Sequence, residues 1–151
     1  MQDQKTPTLN SIFSEVLQNL AFMFHDEDEA EIAPGEVWLE TVIRYRGPQD
    51  GTLRLRCTRD FAVLLAANLL GTDPESADSL GRAGDAVKEF MNILCGQYVT
   101  ARHGVEDVFD LTIPEIEELT ETPDFTPGPE EEAAGVSVQG HRVQVLYRPQ
   151  A

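Results

Sequence analysis

The sequence predicts an α+β protein with a mainly antiparallel β-sheet and long helices packed on it. Segments of helical periodicity alternate with strand-like segments joined by short turns, and the regular helical crossovers of a parallel βαβ fold are not apparent. A long helix followed by strands also occurs twice, near residues 9–58 and 82–147. The order of elements therefore indicates two echoing halves.

The first predicted element is an amphipathic helix over residues 9–24. Phe13, Leu17, Leu20 and Phe24 recur at the spacing that places side chains on one face of a helix. The acidic sequence that follows Phe24 ends this pattern, so we expect the helix to end there.

An antiparallel hairpin is predicted next, with turn residues at 47–51 between its two strands. In the second strand, Leu53 and Leu55 share one face with Cys57. The opposite face carries a basic patch, which Glu40 and the acidic loops would balance, although docking of an acidic partner is an alternative. The first strand places Val37, Leu39, Thr41, Ile43 and Tyr45 on one face, and the basic patch consists of Arg44, Arg46, Arg54 and Arg56.

Two further helices are predicted in the middle of the chain. Residues 60–70 form an apolar helix that Gly71 would close, and residues 72–79 form a polar loop. A third helix runs from about Arg82 to Arg102. Gly81 and Gly84 leave the position of its start open, because glycine weakens helix interiors.

The C-terminal part predicts strands around a long loop. Residues 105–113 alternate in polarity and predict a strand, whereas Pro114 to Ala134 is rich in proline and glutamate and predicts a loop. Two short strands around Gly140 predict a closing hairpin. Residues 1–151 therefore form one predicted domain, with an N-terminal half at about 8–71, a C-terminal half at about 80–148 and an acidic loop at about 114–134.

The net charge restricts the classes of partner. The 151 residues include 27 acidic and 11 basic side chains, for a net charge of -16. This balance argues against a nucleic-acid-binding surface and disfavours anionic membranes. Residues 26–36 and 115–132 hold 14 of the acids and no base, so the remainder of the chain is nearly neutral. We expect a cytoplasmic protein, because no apolar run is long enough to span a membrane and no secretory signal opens the chain.

The predicted third helix carries the most informative pattern. Its apolar positions recur at helical spacing and predict a buried stripe, formed by Val87, Met91, Leu94 and Tyr98. At about 100° per residue, Asp85, Glu89 and Asn92 share the opposite face, and Gly96 extends that face without a side chain. The pattern alone is also typical of an ordinary solvated helix face.

The spacing Asp85-x3-Glu89-x2-Asn92 resembles the [DS]-x3-E-x2-N signature of the CheC/CheX/FliY chemotaxis phosphatases. The resemblance extends to the order of elements and covers most of the chain. A matching echo lies on the first helix at Ser11, Glu15 and Gln18, where glutamine replaces the asparagine of the signature. The resemblance therefore implies a CheX-like protein with one working motif and a degenerate second one.

The family resemblance implies a protein phosphatase that hydrolyses the phospho-aspartate of a CheY-like response regulator in chemotaxis or two-component signalling. Asn92 would hold the attacking water and Glu89 would contact the active-site lysine of the receiver domain. Asp85, Lys88 and Gly96 would contact the partner, although Asp85 is equally suited to cap the start of its helix. The protein would need no cofactor, since Mg²⁺ would belong to the receiver.

Other chemistries find little support in the sequence. The three histidines and two cysteines lack the spacing of a zinc site, and phosphate-binding or serine-nucleophile motifs are missing. Two alternative functions remain: a non-catalytic binding or adaptor module for a receiver domain or flagellar-switch protein, and an interaction protein that binds a basic partner through its acidic segments. Because dimerisation through the sheet is known in the family, the resemblance also makes a homodimer an expectation.

Overall fold

Three helices cover one face of an antiparallel sheet in the computed structural model, which describes residues 8–27, 31–32 and 34–149. The elements within these residues are α1 (Leu9–Ala21), β1 (Trp38–Arg46), β2 (Gly51–Thr58), α2 (Arg59–Leu70), α3 (Ala77–His103), β3 (Asp110–Leu111), β4 (Glu115–Leu119), β5 (Glu132–Val138) and β6 (His141–Pro149). The strand order in the sheet is β3–β1–β2–β6–β5, and β4 pairs with β1 along the same edge as β3. The predicted α+β class is confirmed.

Helix α1 begins where the Thr8 hydroxyl accepts a hydrogen bond from the Ser11 backbone N–H at 3.1 Å. It ends at Ala21, three residues before the predicted end. Phe22 adopts the left-handed conformation (φ 55°), and its N–H donates back to the last turn of the helix. This turn rotates the chain out of the helical phase, so the prediction that Phe24 belongs to the buried stripe is wrong: its side chain is 61% exposed.

The β1–β2 hairpin is confirmed, and its two faces differ as predicted. Leu53, Leu55 and Cys57 are fully buried beneath the helices. On the other face the Glu40 carboxylate lies 2.9 Å from Arg56 Nε and 3.6 Å from Arg54 Nη1. Glu40 therefore balances half of the predicted basic patch, while Arg44 and Arg46 are exposed on the same strand.

Helices α2 and α3 pack against each other. Helix α2 begins at the Thr58 cap and ends at Gly71 (φ 68°), as predicted. Helix α3 begins at Ala77, earlier than the predicted start near Arg82, and Gly81 and Gly84 lie inside it. A helix of 27 residues gains enough from its packing to offset the cost of two glycines, about 1 kcal/mol each.

The segment after α3 differs most from the prediction. Of the strand predicted over 105–113, Asp110–Leu111 alone pairs with β1, and Val105 and Val108 are more than 80% exposed. The loop predicted over 114–134 contains β4 and the first residues of β5, so that prediction is wrong for Glu115–Leu119 and for residues 132–134. In β4 Ile116 packs against the core while the three glutamates are exposed, and the acidic composition concealed this strand.

The closing hairpin of β5 and β6 is confirmed, with Gly140 in a positive-φ conformation (φ 82°) at its turn. Asp26, in the acidic segment 26–36, holds this turn, because its carboxylate accepts hydrogen bonds from the N–H groups of Gln139 and Gly140 at 3.2 and 2.8 Å. Asp28 and Glu29 of the same acidic segment lie outside the described residues. Within the described chain, no helix combines the length and apolarity needed to cross a membrane.

The inner face of α3 is anchored at two places. Near its middle, Phe90 meets Phe13 of α1 edge-on, with ring centroids 5.6 Å apart and both side chains fully buried. Near its end, the Tyr98 hydroxyl donates to Glu132 Oε1 at 2.7 Å, and Glu132 Oε2 accepts from the Leu9 N–H at 3.0 Å. These contacts fix the rotation of α3 relative to α1 and β5.

Truncation of the aromatic contact should be costly. We expect Phe90→Ala to lower the free energy of unfolding by about 3–5 kcal/mol, because it removes a fully buried ring and leaves a cavity. Urea denaturation measures this change. The matched control is Phe24→Ala, which removes an exposed ring and should change the free energy by less than about 0.5 kcal/mol. Equal losses in the two variants would contradict the described end of α1.

Candidate functional site

The candidate site is a polar stripe on the outer face of α3, formed by Asp85, Glu89 and Asn92 and continued by Gly96. The predicted apolar stripe on the inner face is buried, and the three polar side chains are exposed. Residues three and four apart on a helix have Cβ atoms about 5–6 Å from one another, so these side chains are neighbours. The predicted arrangement of the helix faces is therefore confirmed; the role of the residues remains a prediction.

Gly96 leaves the end of the polar stripe open. A Cβ atom built on Gly96 would meet no atom within 4 Å, so another protein can approach the backbone closely there. Asn92 and Gly96 line the same open surface. Lys88, also predicted to contact a partner, lies on the flank of the stripe and is half-buried.

Asp85 lies about two turns inside α3, because the helix begins at Ala77. One of the two predicted roles, capping of the start of the helix, is therefore wrong. The remaining role is contact with a partner, and the exposure of the side chain is compatible with it.

A groove borders the polar stripe on the side of α2. Its apolar lining consists of Ala66, Leu69 and Leu70 of α2 together with Ala86 of α3. Its rim carries three charged side chains of α3, Arg82, Asp85 and Glu89. We call this the α2–α3 groove. The sequence interpretation missed it, since the groove exists only where the end of α2 packs beside the start of α3; the helical spacing of Arg82 from Asp85 was the one available signal.

The chemistry of the polar stripe is that of a binding and positioning site. Among the described residues, the side chains of Asp85, Glu89 and Asn92 have no hydrogen-bond or ion-pair partner, so their polar atoms are available to another molecule. The two cysteines do not supply a nucleophile, because burial raises the pKa of Cys57 and of Cys95 to about 12. The described residues contain no group of three His, Cys, Asp or Glu side chains that could hold a metal ion.

The echoing motif on α1 has Gln18 in place of the asparagine, and its surroundings also differ from those of the polar stripe. Ser11, Glu15 and Gln18 are exposed, and the Ser11 hydroxyl donates to the Thr8 carbonyl at 2.9 Å. Four residues after Gln18, a spacing that on α3 leads from Asn92 to Gly96, α1 has already ended, and Phe22 forms its left-handed cap with a side chain that is 75% exposed. An exposed aromatic ring therefore follows the motif of α1, whereas a glycine follows that of α3.

One family model and several solved structures are similar to this chain. Residues 40–123 match the family chemotaxis phosphatase CheX. The fold is similar to that of the chemotaxis protein CheX from Desulfovibrio desulfuricans, at 16% identity and a TM-score of 0.67, with 94% of this chain and 96% of that chain covered. A search of curated proteins gave no match.

Two further solved structures share the fold. One is the CheX–CheY–BeF3–Mg²⁺ complex from Borrelia burgdorferi, at 18% identity and a TM-score of 0.66, with 95% and 96% of the two chains covered. The other is FliY from Thermotoga maritima, at 16% identity and a TM-score of 0.56, with 93% and 84% covered. At these identities the similarity shows the shared fold.

The open position at Gly96 predicts a measurable stability difference. We expect Gly96→Ala to raise the free energy of unfolding by about 0.5–1 kcal/mol, because alanine costs less than glycine inside a helix and its Cβ would meet no atom. Gly71→Ala is the control and should lower the free energy, since Gly71 has a φ of 68° that alanine adopts only under strain. Destabilisation by Gly96→Ala would contradict the open space that the structure shows at the Cβ position of Gly96.

Proposed function

The chain belongs to the CheX family of chemotaxis phosphatases, and we propose that it hydrolyses the phospho-aspartate of a CheY-like receiver domain. The observation that carries this proposal is the row on α3 of exposed Glu89 and Asn92, whose polar groups have no partner among the described residues, followed by the open space at Gly96. The fold shared with a CheX–CheY–BeF3–Mg²⁺ complex supports a receiver domain as the partner.

Asn92 is the residue that we assign to the reaction itself. Its side-chain amide has both donor and acceptor atoms, so it can orient a water molecule without gaining or losing a proton. In the proposed step the oxygen of that water bonds to phosphorus as the bond between phosphorus and the aspartyl oxygen breaks. The aspartate leaves as a carboxylate, and the proton of the water ends on the released phosphate.

Glu89 is the residue that we assign to docking. One helical turn from Asn92, its carboxylate can accept a charge-assisted hydrogen bond from the active-site lysine of the receiver. This contact would set the pose in which Asn92 meets the phosphoryl group. The Mg²⁺ belongs to the receiver and neutralises charge on the phosphoryl oxygens.

The proposed mechanism needs little from this chain because the receiver already holds the activated acyl phosphate. Correct placement of reacting groups lowers a barrier by as much as about 7–11 kcal/mol. A single amide that positions water is therefore sufficient, and the lack of an available cysteine thiolate is compatible with the mechanism.

Replacement of Asn92 should remove catalysis and leave docking intact. With a phosphorylated CheY-like receiver from the same genome, we expect Asn92→Ala to lower kcat for phosphate release by about 10²-fold or more, because the water loses its orientation. KM should change little. The control is Gln18→Ala on α1, which should behave as wild type if α3 carries the one working motif.

Two results would contradict this assignment. Phosphate release by Asn92→Ala at the wild-type rate would exclude the mechanism. A wild-type protein that binds the phosphorylated receiver without changing its rate of dephosphorylation would instead favour the non-catalytic adaptor function.

Replacement of Glu89 should mainly weaken the complex. We expect Glu89→Ala to raise the Kd for the receiver bound to BeF3 and Mg²⁺ by about 10-fold or more, since one charged partner of the docking contact is lost. Titration calorimetry measures this change. Glu15→Ala removes an equally exposed glutamate from α1 and should leave the Kd unchanged; equal weakening by both variants would show a general charge effect.

A further inference from the structure

The α2–α3 groove has the lining and the size of a binding site for a single side chain. Its floor is apolar, its charged rim is open to solvent, and its volume is about 240 Å³. A cavity of about 150 Å³ in a protein core takes one benzene molecule, so this groove can hold one aromatic or branched aliphatic side chain. It is smaller than most pockets for drug-sized ligands, which measure about 300–1,000 Å³.

We propose that this groove binds one apolar side chain on the surface of the receiver domain and thereby adds to the docking affinity that Glu89 provides. This inference rests on the proposed function, because it takes the receiver as the partner. The groove shares Asp85 and Glu89 with the polar stripe. A receiver that reaches Glu89 and Asn92 must therefore cover the groove as well.

Apart from the charge-assisted contact of Glu89, the polar stripe is a poor source of docking affinity. A stable protein–protein interface buries about 800 Å² on each partner, and most of the binding energy comes from a few side chains in desolvated pockets. The stripe offers two carboxylates, one amide and a glycine, all of which are solvated in the free protein. Exchange of water for partner atoms at such groups gains little net free energy.

Leu70 is the most exposed apolar residue that lines the groove. It is the last residue of α2, and its side chain is 40% exposed. The deeper floor residues Ala66 and Ala86 are already 1% and 7% exposed. An apolar side chain that enters the groove would therefore remove apolar surface of Leu70 from water, which is favourable.

Arg82 is a cation on the rim of the groove, whereas the polar stripe itself contains no cation. Among the described residues it has no ion-pair partner, and it stands on the rim beside Asp85 and Glu89. The phosphorylated face of a receiver is negatively charged, so Arg82 offsets part of the repulsion that Asp85 and Glu89 on the same rim would exert.

The test compares binding and turnover for substitutions at Leu70. We expect Leu70→Gln to raise the Kd for the receiver–BeF3–Mg²⁺ complex, and KM for phosphate release, by about 10-fold or more. The value of kcat at saturating receiver should be unchanged, because Asn92 is intact. Leu70→Met should retain near wild-type binding. The control is Ile113→Gln, which changes a side chain that is 84% exposed and does not line the groove.

The outcomes separate this inference from the proposed function. Wild-type Kd and KM in Leu70→Gln would overturn the role of the groove and leave the phosphatase standing. A wild-type protein that binds the receiver without hydrolysing its phospho-aspartate would overturn the phosphatase, and the Kd of Leu70→Gln would still report on the groove. A wild-type protein that binds no receiver, or a self-association that Leu70→Gln abolishes, would overturn the inference.

Discussion

Burial of the inner face of α3 determines which residues this helix presents to solvent. Phe90 packs edge-on against Phe13 of α1, and Val87, Met91 and Leu94 are buried in the same core. Since a helix has a fixed angle between successive side chains, burial of these residues determines what the opposite face presents. Asn92 is exposed because its neighbours Met91 and Leu94 are not. The core therefore orients the site, and a loss of packing would act on the site through the rotation of the helix.

Some of the acids behind the net negative charge of the chain have structural contacts in the fold. Glu132 binds both Tyr98 and the start of α1, and Asp26 holds the β5–β6 turn. The carboxylate of Asp124 accepts a hydrogen bond from the Thr126 N–H, which lowers its pKa, and its carbonyl accepts one from Arg56. Several members of the two acidic segments thus join elements of the fold, on surfaces other than the exposed stripe of α3.

The sequence predicted those features that depend on local periodicity. The two faces of α3 and the β1–β2 hairpin follow from the intrinsic repeats of helices and strands, so they could be read directly. The wrong predictions concern segments whose structure depends on tertiary contacts or on a turn that the periodicity does not show. Glu115–Leu119 becomes a strand because the edge of β1 is available to pair with it, and Phe24 leaves the core because the chain turns at Phe22. The α2–α3 groove is a product of tertiary packing, and no periodic pattern specifies it.

The two motif-bearing helices differ in two ways that favour α3 as the place of the proposed reaction. The family asparagine is Gln18 on α1, a side chain one methylene longer, and Phe22 follows it at the spacing that on α3 leads from Asn92 to Gly96. A receiver that approached α1 as we propose for α3 would meet an exposed aromatic ring instead of open backbone. Restoration of asparagine at position 18 would therefore leave this obstruction in place. The two departures together, one chemical and one steric, are the physical basis for assigning the proposed reaction to α3.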